Sequence, residues 1–119
     1  MWQYYNANAR GNNVNDCVVR AISKAENKTW NETYNELSKI AQYEGILLDD
    51  VDFVENYLDK RYLRQCHYSK TVGEFAEEYS KGTYLVTMPN HITVIVDGVI
   101  YDTFDPSEKR MWCCWKVKP

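Results

Sequence analysis

The chain has 119 residues, 45% hydrophobic and 26% charged, enough to enclose one core and read as one domain. A net charge of −3 and an isoelectric point near 5.4 argue against a nucleic-acid surface. No run of 18 apolar residues occurs, so no segment reads as a membrane span.

Residues 1–14 are rich in Asn, Tyr and Gly and lack periodicity. They read as an irregular arm pinned by Trp2, Tyr4 and Tyr5. This start has neither the basic residues nor the apolar stretch of a signal peptide, so a cytoplasmic protein is expected. There Cys17, Cys66, Cys113 and Cys114 should all be reduced. Their spacing contains no C-x-x-C and ends in a vicinal pair, so no metal site is expected.

The polar stretch Asn12-Asn13-Val14-Asn15-Asp16 leads into Cys17-Val18-Val19-Arg20-Ala21-Ile22-Ser23. Asn15 or Asp16 suits an N-cap, its side-chain oxygen accepting from free backbone N–H groups. Val18, Ala21, Ile22 and Ala25 recur at helical spacing and predict a first helix ending near Asn27-Lys28. Cys17 then falls in the first turn, where the helix dipole favours thiolate, the nucleophilic form.

Thr29-Trp30-Asn31-Glu32 has the form of a capping box and opens a second helix reaching about Glu44, with Trp30, Tyr34, Leu37 and Ala41 as its apolar stripe. Gly45 stops it. Asp49 or Asp50 can cap a third helix, with Val51, Val54 and Leu58 facing inward, that ends near Lys60-Arg61. A short strand is expected within residues 62–68. Thr71-Val72-Gly73-Glu74 is a second capping box, for a helix burying Val72, Phe75, Ala76 and Tyr79 and terminated by Gly82.

From Thr83 the period becomes that of strands, over residues 83–88, 91–96, 99–104 and 111–117. Asp97-Gly98 is a two-residue hairpin signal. Helices first and an antiparallel sheet afterwards predict an α+β fold. Counting back from Asp97-Gly98 pairs Ile95 with Ile100, Thr93 with Asp102 and His91 with Phe104. His91 and Asp102 are thereby diagonal neighbours on one face, within reach of an imidazole–carboxylate pair. A carboxylate there would set the imidazole tautomer and stabilise its protonated form.

The order Cys, His, Asp, with the Cys opening a helix and His–Asp on a later hairpin, resembles the papain-like cysteine peptidases. Asp16-Cys17 with Arg20-Ala21, and His91-Ile92-Thr93-Val94-Ile95 leading to Asp105-Pro106, resemble the double-glycine leader peptidases of bacteriocin exporters. The Asn-rich start, Asp-Cys-Val-Val-Arg-Ala-Ile, Trp30 and Gly-Val-Ile-Tyr-Asp-Thr-Phe-Asp are similar to small uncharacterised phage and prophage proteins over nearly the whole chain. The resemblance implies a papain-like fold, with N-terminal helices on a C-terminal antiparallel sheet, Cys17 as nucleophile and His91 as general base. It leaves Asp102 and Asp105 as competing third members: register favours Asp102, the Asp-Pro likeness Asp105.

Two positions depart from those families. Val18 stands where the leader peptidases carry Gly, and Gly11-Asn12 stand where papain-like enzymes carry an oxyanion-hole Gln. Asn12 is the expected substitute, its amide donating beside the Cys17 N–H. The resulting expectation is a thiol hydrolase acting on a peptide or protein through an acyl-enzyme, without a cofactor, a membrane or a nucleic acid. The alternative is a non-catalytic module of the same fold that binds a host protein through Trp112 and Trp115.

Overall fold

The computed structural model describes residues 1–119, in which hydrophobic periodicity builds four helices and six strands. In chain order these are β1 (Trp2–Tyr4), α1 (Cys17–Glu26), α2 (Trp30–Glu44), α3 (Val51–Asp59), β2 (Arg64–Cys66), α4 (Val72–Glu78), β3 (Thr83–Met88), β4 (His91–Val96), β5 (Val99–Asp102) and β6 (Cys113–Lys118). The fold is α+β around one mixed sheet of order β1-β5-β4-β3-β6-β2. No helix is long and apolar enough to cross a membrane.

Alternation along the strands splits the apolar residues between two cores. Leu85, Ile92, Val94, Cys113 and Trp115 face α1, α2 and α3. Tyr84, Val86, Met88, Ile95, Ile100 and Cys114 pack on the other side with Val72, Phe75 and Ala76 of α4 and with Met111. Helix α1 is the centre of the larger core, lying between α2 and β4. Seven of its ten residues are buried, Arg20 and Ser23 among them, so its buried surface extends beyond the single apolar stripe that the sequence predicts. Ile22 at 0% exposure contributes about 1.5–3 kcal/mol by burial.

Both capping boxes form: Thr29 with Glu32 at α2, and Thr71 with Glu74 at α4. The hairpin register is Val96 with Val99, Ile95 with Ile100 and Val94 with Tyr101. Several expectations are corrected. The arm is not wholly irregular, since Trp2–Tyr4 joins the sheet as a strand parallel to β5, making the sheet mixed. Helix α4 ends at Glu78, ahead of Gly82, because Tyr79 leaves helical geometry to stack on Phe75. Val51 is half exposed at the first turn of α3, where Phe53, Val54, Tyr57 and Leu58 supply the buried face. Trp115 is fully buried, with its indole N–H donating to Asp59 (2.9 Å), and is closed to any partner.

The expectation of four free thiols is also overturned, because Cys66 is joined to Cys113. Antiparallel pairing of β2 with β6 sets these two residues opposite each other. Alternation turns the neighbouring Cys114 to the other core, where it stays a buried free thiol. Such a bond is ordinarily kept in an oxidising environment.

Gly82 governs where the sheet begins. Its φ is +94°, its N–H donates to Asp97 Oδ1 (2.8 Å), and a Cβ there would lie 2.7 Å from the backbone oxygen of Lys118. Gly82→Ala therefore combines backbone strain with a clash that a backbone atom must absorb, and should cost about 1–3 kcal/mol. Urea unfolding would read this as a lower midpoint; an unchanged midpoint would show that the β3–β6 junction yields freely.

Candidate active site

The N-terminus of α1 is built differently from those of α2 and α4. Asp16 occupies the cap position, but its side chain makes no capping bond, contrary to the sequence expectation. Its carboxylate turns away instead. Oδ1 accepts from Arg20 Nε (2.7 Å), and Oδ2 accepts from Trp30 Nε1 (2.9 Å) and Asn8 Nδ2 (3.1 Å). The first intrahelical bond runs from the Arg20 N–H to the Asp16 carbonyl (2.9 Å), leaving the Cys17, Val18 and Val19 N–H groups without a protein acceptor. The positive end of the helix dipole is thus uncompensated where Cys17 stands.

Cys17 is half-buried on the wall of a cavity of about 440 Å³ between the start of α1, α3 and the β3–β4 turn. Val18, Val51, Val54, Met88, Ile92 and Trp112 give this cavity apolar walls, while Asn15, Asp49, Thr87, Asn90 and His91 supply polar groups. Pro89-Asn90 closes the β3–β4 hairpin, with Asn90 at φ +59°, and delivers His91 as the first residue of β4. Asp102 closes β5, so His91 and Asp102 meet at the end of this strand pair remote from Asp97-Gly98.

His91 Nε2 donates to Asp102 Oδ2 (2.7 Å), which leaves Nδ1 as the nitrogen available to Cys17 across the shared cavity. The Phe104 ring packs against the imidazole with centroids 4.8 Å apart. Asp102 is 2% exposed, and its other oxygen, Oδ1, accepts from Arg20 Nη1 (3.0 Å) and the Thr103 N–H (2.7 Å). The N-terminal arm closes over its backbone, with the Tyr5 N–H (2.9 Å) and the Trp2 indole (3.3 Å) both donating to the Asp102 carbonyl.

These contacts divide the protons. Burial opposes charge on His91, but Asp102 and Cys17 outweigh it and raise the imidazole to about 9. Burial likewise opposes the Cys17 thiolate, yet the His91 hydrogen bond, the Ile92 N–H and the positive charges of His91 and Arg20 hold the thiol below its ordinary range. Asp102 is also held down: burial raises it, and His91, with smaller help from Thr93 and the Thr103 N–H, more than reverses that. All three shifts act in the direction of thiolate, imidazolium and carboxylate in a row. By contrast, burial alone pushes the Cys114 thiol up to about 11.

Of the residues singled out from sequence, Cys17, His91 and Asp102 are brought together. Asp105 is exposed and apart from them, its Oδ1 taking the Ser107 N–H (3.0 Å) in the turn at Pro106. Asn12 does not line the cavity; its backbone is tied to Asn6 (3.0 Å) and Asn8 (3.3 Å) within the arm, and Asn15 reaches the wall instead. Trp112 lies on the rim. Arg20 is the contact residue that sequence reasoning passed over. Its signal was a charged side chain four residues after Asp16, set among Val18, Val19, Ala21 and Ile22.

Comparison with known protein-family models, with curated proteins and with solved structures finds no match to this chain. The chemistry at this site therefore rests on its own geometry.

Selective alkylation reads that geometry directly. At about pH 6, iodoacetamide should modify Cys17 well before Cys114, with Cys66 and Cys113 bonded and silent. Asp102→Asn should slow Cys17 labelling at this pH, since an amide cannot hold the imidazolium, while Asp105→Asn leaves it unchanged. Peptide mapping by mass spectrometry distinguishes the sites. Equal labelling of Cys17 and Cys114, or a slow phase that follows Asp105 instead, would contradict the assignment.

Proposed function

We propose that the chain is a papain-like thiol hydrolase of phage or prophage type, a peptidase or amidase working through an acyl-enzyme. The observation that carries this reading is that Cys17, at an uncapped helix start, and His91 line one cavity, with an imidazole nitrogen held by Asp102 at 2.7 Å. Structural cysteines need no such partner; a nucleophile does.

In the proposed reaction the Cys17 thiolate attacks an amide or ester carbonyl, forming the C–S bond as the carbonyl electrons move to oxygen. The Cys17 N–H and the Asn15 side chain donate to that oxyanion, Asn15 replacing the expected Asn12. The tetrahedral intermediate collapses, the bond to the leaving amine or alcohol breaks, and His91 supplies the proton that group needs. Water then attacks the thioester while His91 takes a proton from it. Collapse releases the carboxylic acid and restores the thiolate–imidazolium pair. An amine in place of water would give transfer rather than hydrolysis by the same steps.

The cavity supports a peptide or protein substrate. Its walls suit an apolar side chain beside the reacting carbonyl, and its mouth is open to solvent around the exposed Asn15, Asp49 and Asn90.

A panel of peptidyl vinyl sulfones on the purified protein tests the reading, with Cys17→Ala as control. Covalent adducts should form on Cys17 alone, and a panel with no adduct or with adducts independent of Cys17 would overturn it. Against a substrate that the panel identifies, Asn15→Ala should lower kcat by about 100-fold or more, whereas Asn12→Ala leaves it near the parent value. Turnover should also fall on the alkaline side near pH 9, where His91 loses the proton it must donate. A rate still climbing beyond that pH would show that no imidazolium takes part.

A further inference from the structure

Arg20 stands outside the reacting atoms, yet it contacts the site's carboxylate and the residue preceding its thiol. Its guanidinium donates from Nε to Asp16 Oδ1 (2.7 Å) and from Nη1 to Asp102 Oδ1 (3.0 Å), and the residue is 8% exposed. We propose that Arg20 is a positioning residue of the site, held by Asp16 so that it fixes the Asp102 carboxylate with one oxygen turned to His91. The inference rests on the thiol-hydrolase reading.

Geometry separates this role from simple cohesion. A guanidinium is planar, and its Nε and Nη1 donors point along fixed directions, so anchoring one to Asp16 determines where the other reaches. Asp16 is itself immobilised by the Trp30 indole and the Asn8 amide, which ties the arrangement to α2 and the N-terminal arm. With Oδ1 of Asp102 taken by Arg20 and the Thr103 N–H, Oδ2 is the oxygen left for the imidazole. Packing alone would be served as well by an apolar residue, because a buried ion pair is often no more stabilising than a hydrophobic replacement.

Arg20 also lies three residues beyond Cys17 on the same helix, so nucleophile and clamp move as one rigid body. The charges around it are arranged in alternation. Asp16 faces it from the turn before α1, Asp102 from β5, and His91 of β4 lies behind Asp102. On its own helix stand Cys17, whose thiolate Arg20 favours, and Lys24, whose ammonium sits over the Tyr5 (4.9 Å) and Tyr101 (4.4 Å) rings. The contribution of α2 to this network is the uncharged Trp30 donor. Without Arg20 the Asp102 carboxylate loses its stop, the imidazolium loses a fixed partner, and the thiolate loses a nearby positive charge.

The test is the rate of Cys17 alkylation by iodoacetamide from pH 4.5 to 9 in the full chain, for the parent, Arg20→Met and Arg20→Lys. Mass spectrometry separates molecules in which buried Cys114 is protected, hence folded, from those in which it is labelled. Within the protected population, Arg20→Met should move the acid midpoint of Cys17 upward by about one pH unit, a tenfold slower rate below it. Arg20→Lys, keeping the charge but losing the two-sided reach, should show a smaller shift in the same direction. A merely structural Arg20 would enlarge the Cys114-labelled fraction without moving the midpoint of the protected one, and that result overturns the inference. So does a loss of all protected molecules in both variants, which would assign Arg20 to the fold. If instead the parent Cys17 titrates as an ordinary thiol and His91→Ala leaves it unchanged, the thiol-hydrolase reading itself fails.

Discussion

A buried guanidinium between two buried carboxylates is the constraint to which the rest of this structure answers. Helix α1 is enclosed by the sheet and by α2, and Arg20 points into that enclosure with little of its side chain left to water. An unpaired cation there would be untenable, so Asp16 and Asp102 must both be in place before α1 can dock. Asp102 in turn fixes the end of β5 relative to the helix, and β5 fixes β4 through the Asp97-Gly98 hairpin. The position of His91 relative to Cys17 follows from that chain of dependencies.

The same arrangement explains why α1 begins without a side-chain cap. Asp16 has one carboxylate, and Arg20, Trp30 and Asn8 use both of its oxygens. Helices α2 and α4, which serve the fold, have full capping boxes. Forgoing a cap typically costs about 1 kcal/mol of helix stability. At α1 that loss leaves backbone donors and a positive potential beside a thiol, where both favour negative charge on sulfur.

Much of this was legible because it is local. Capping boxes, the Asp97-Gly98 turn and alternation along residues 83–104 depend on neighbours in sequence, and the helices and hairpin appear where those signals lie. The diagonal between His91 and Asp102 could be counted because a two-residue turn sets the register. What was not legible is what depends on distant partners. Three exposed residues, Trp2–Tyr4, give no periodic signal, and only β5 makes them a strand. Asp16 has the chemistry of a cap, and only Arg20, Trp30 and Asn8 redirect it. Cys66 meets Cys113 through the pairing of β2 with β6, and three exposed residues in β2 give that pairing no pattern to announce it. Asn12 and Asn15 are alike in type, and the shape of the arm decides which of them reaches the cavity.

The pairing of β1 with β5 also bears on the order of assembly. Tyr4 lies opposite Asp102, nearly the full chain apart, and contacts of such separation close late because the intervening loop must first be ordered. Helix α1 is local and forms early, carrying its sulfur with it. The imidazole arrives only when the hairpin docks, and the acid is roofed only when the arm lies down beside β5. What sets this sulfur apart from an ordinary thiol is thus gathered from both ends of the chain and is present only in the complete fold.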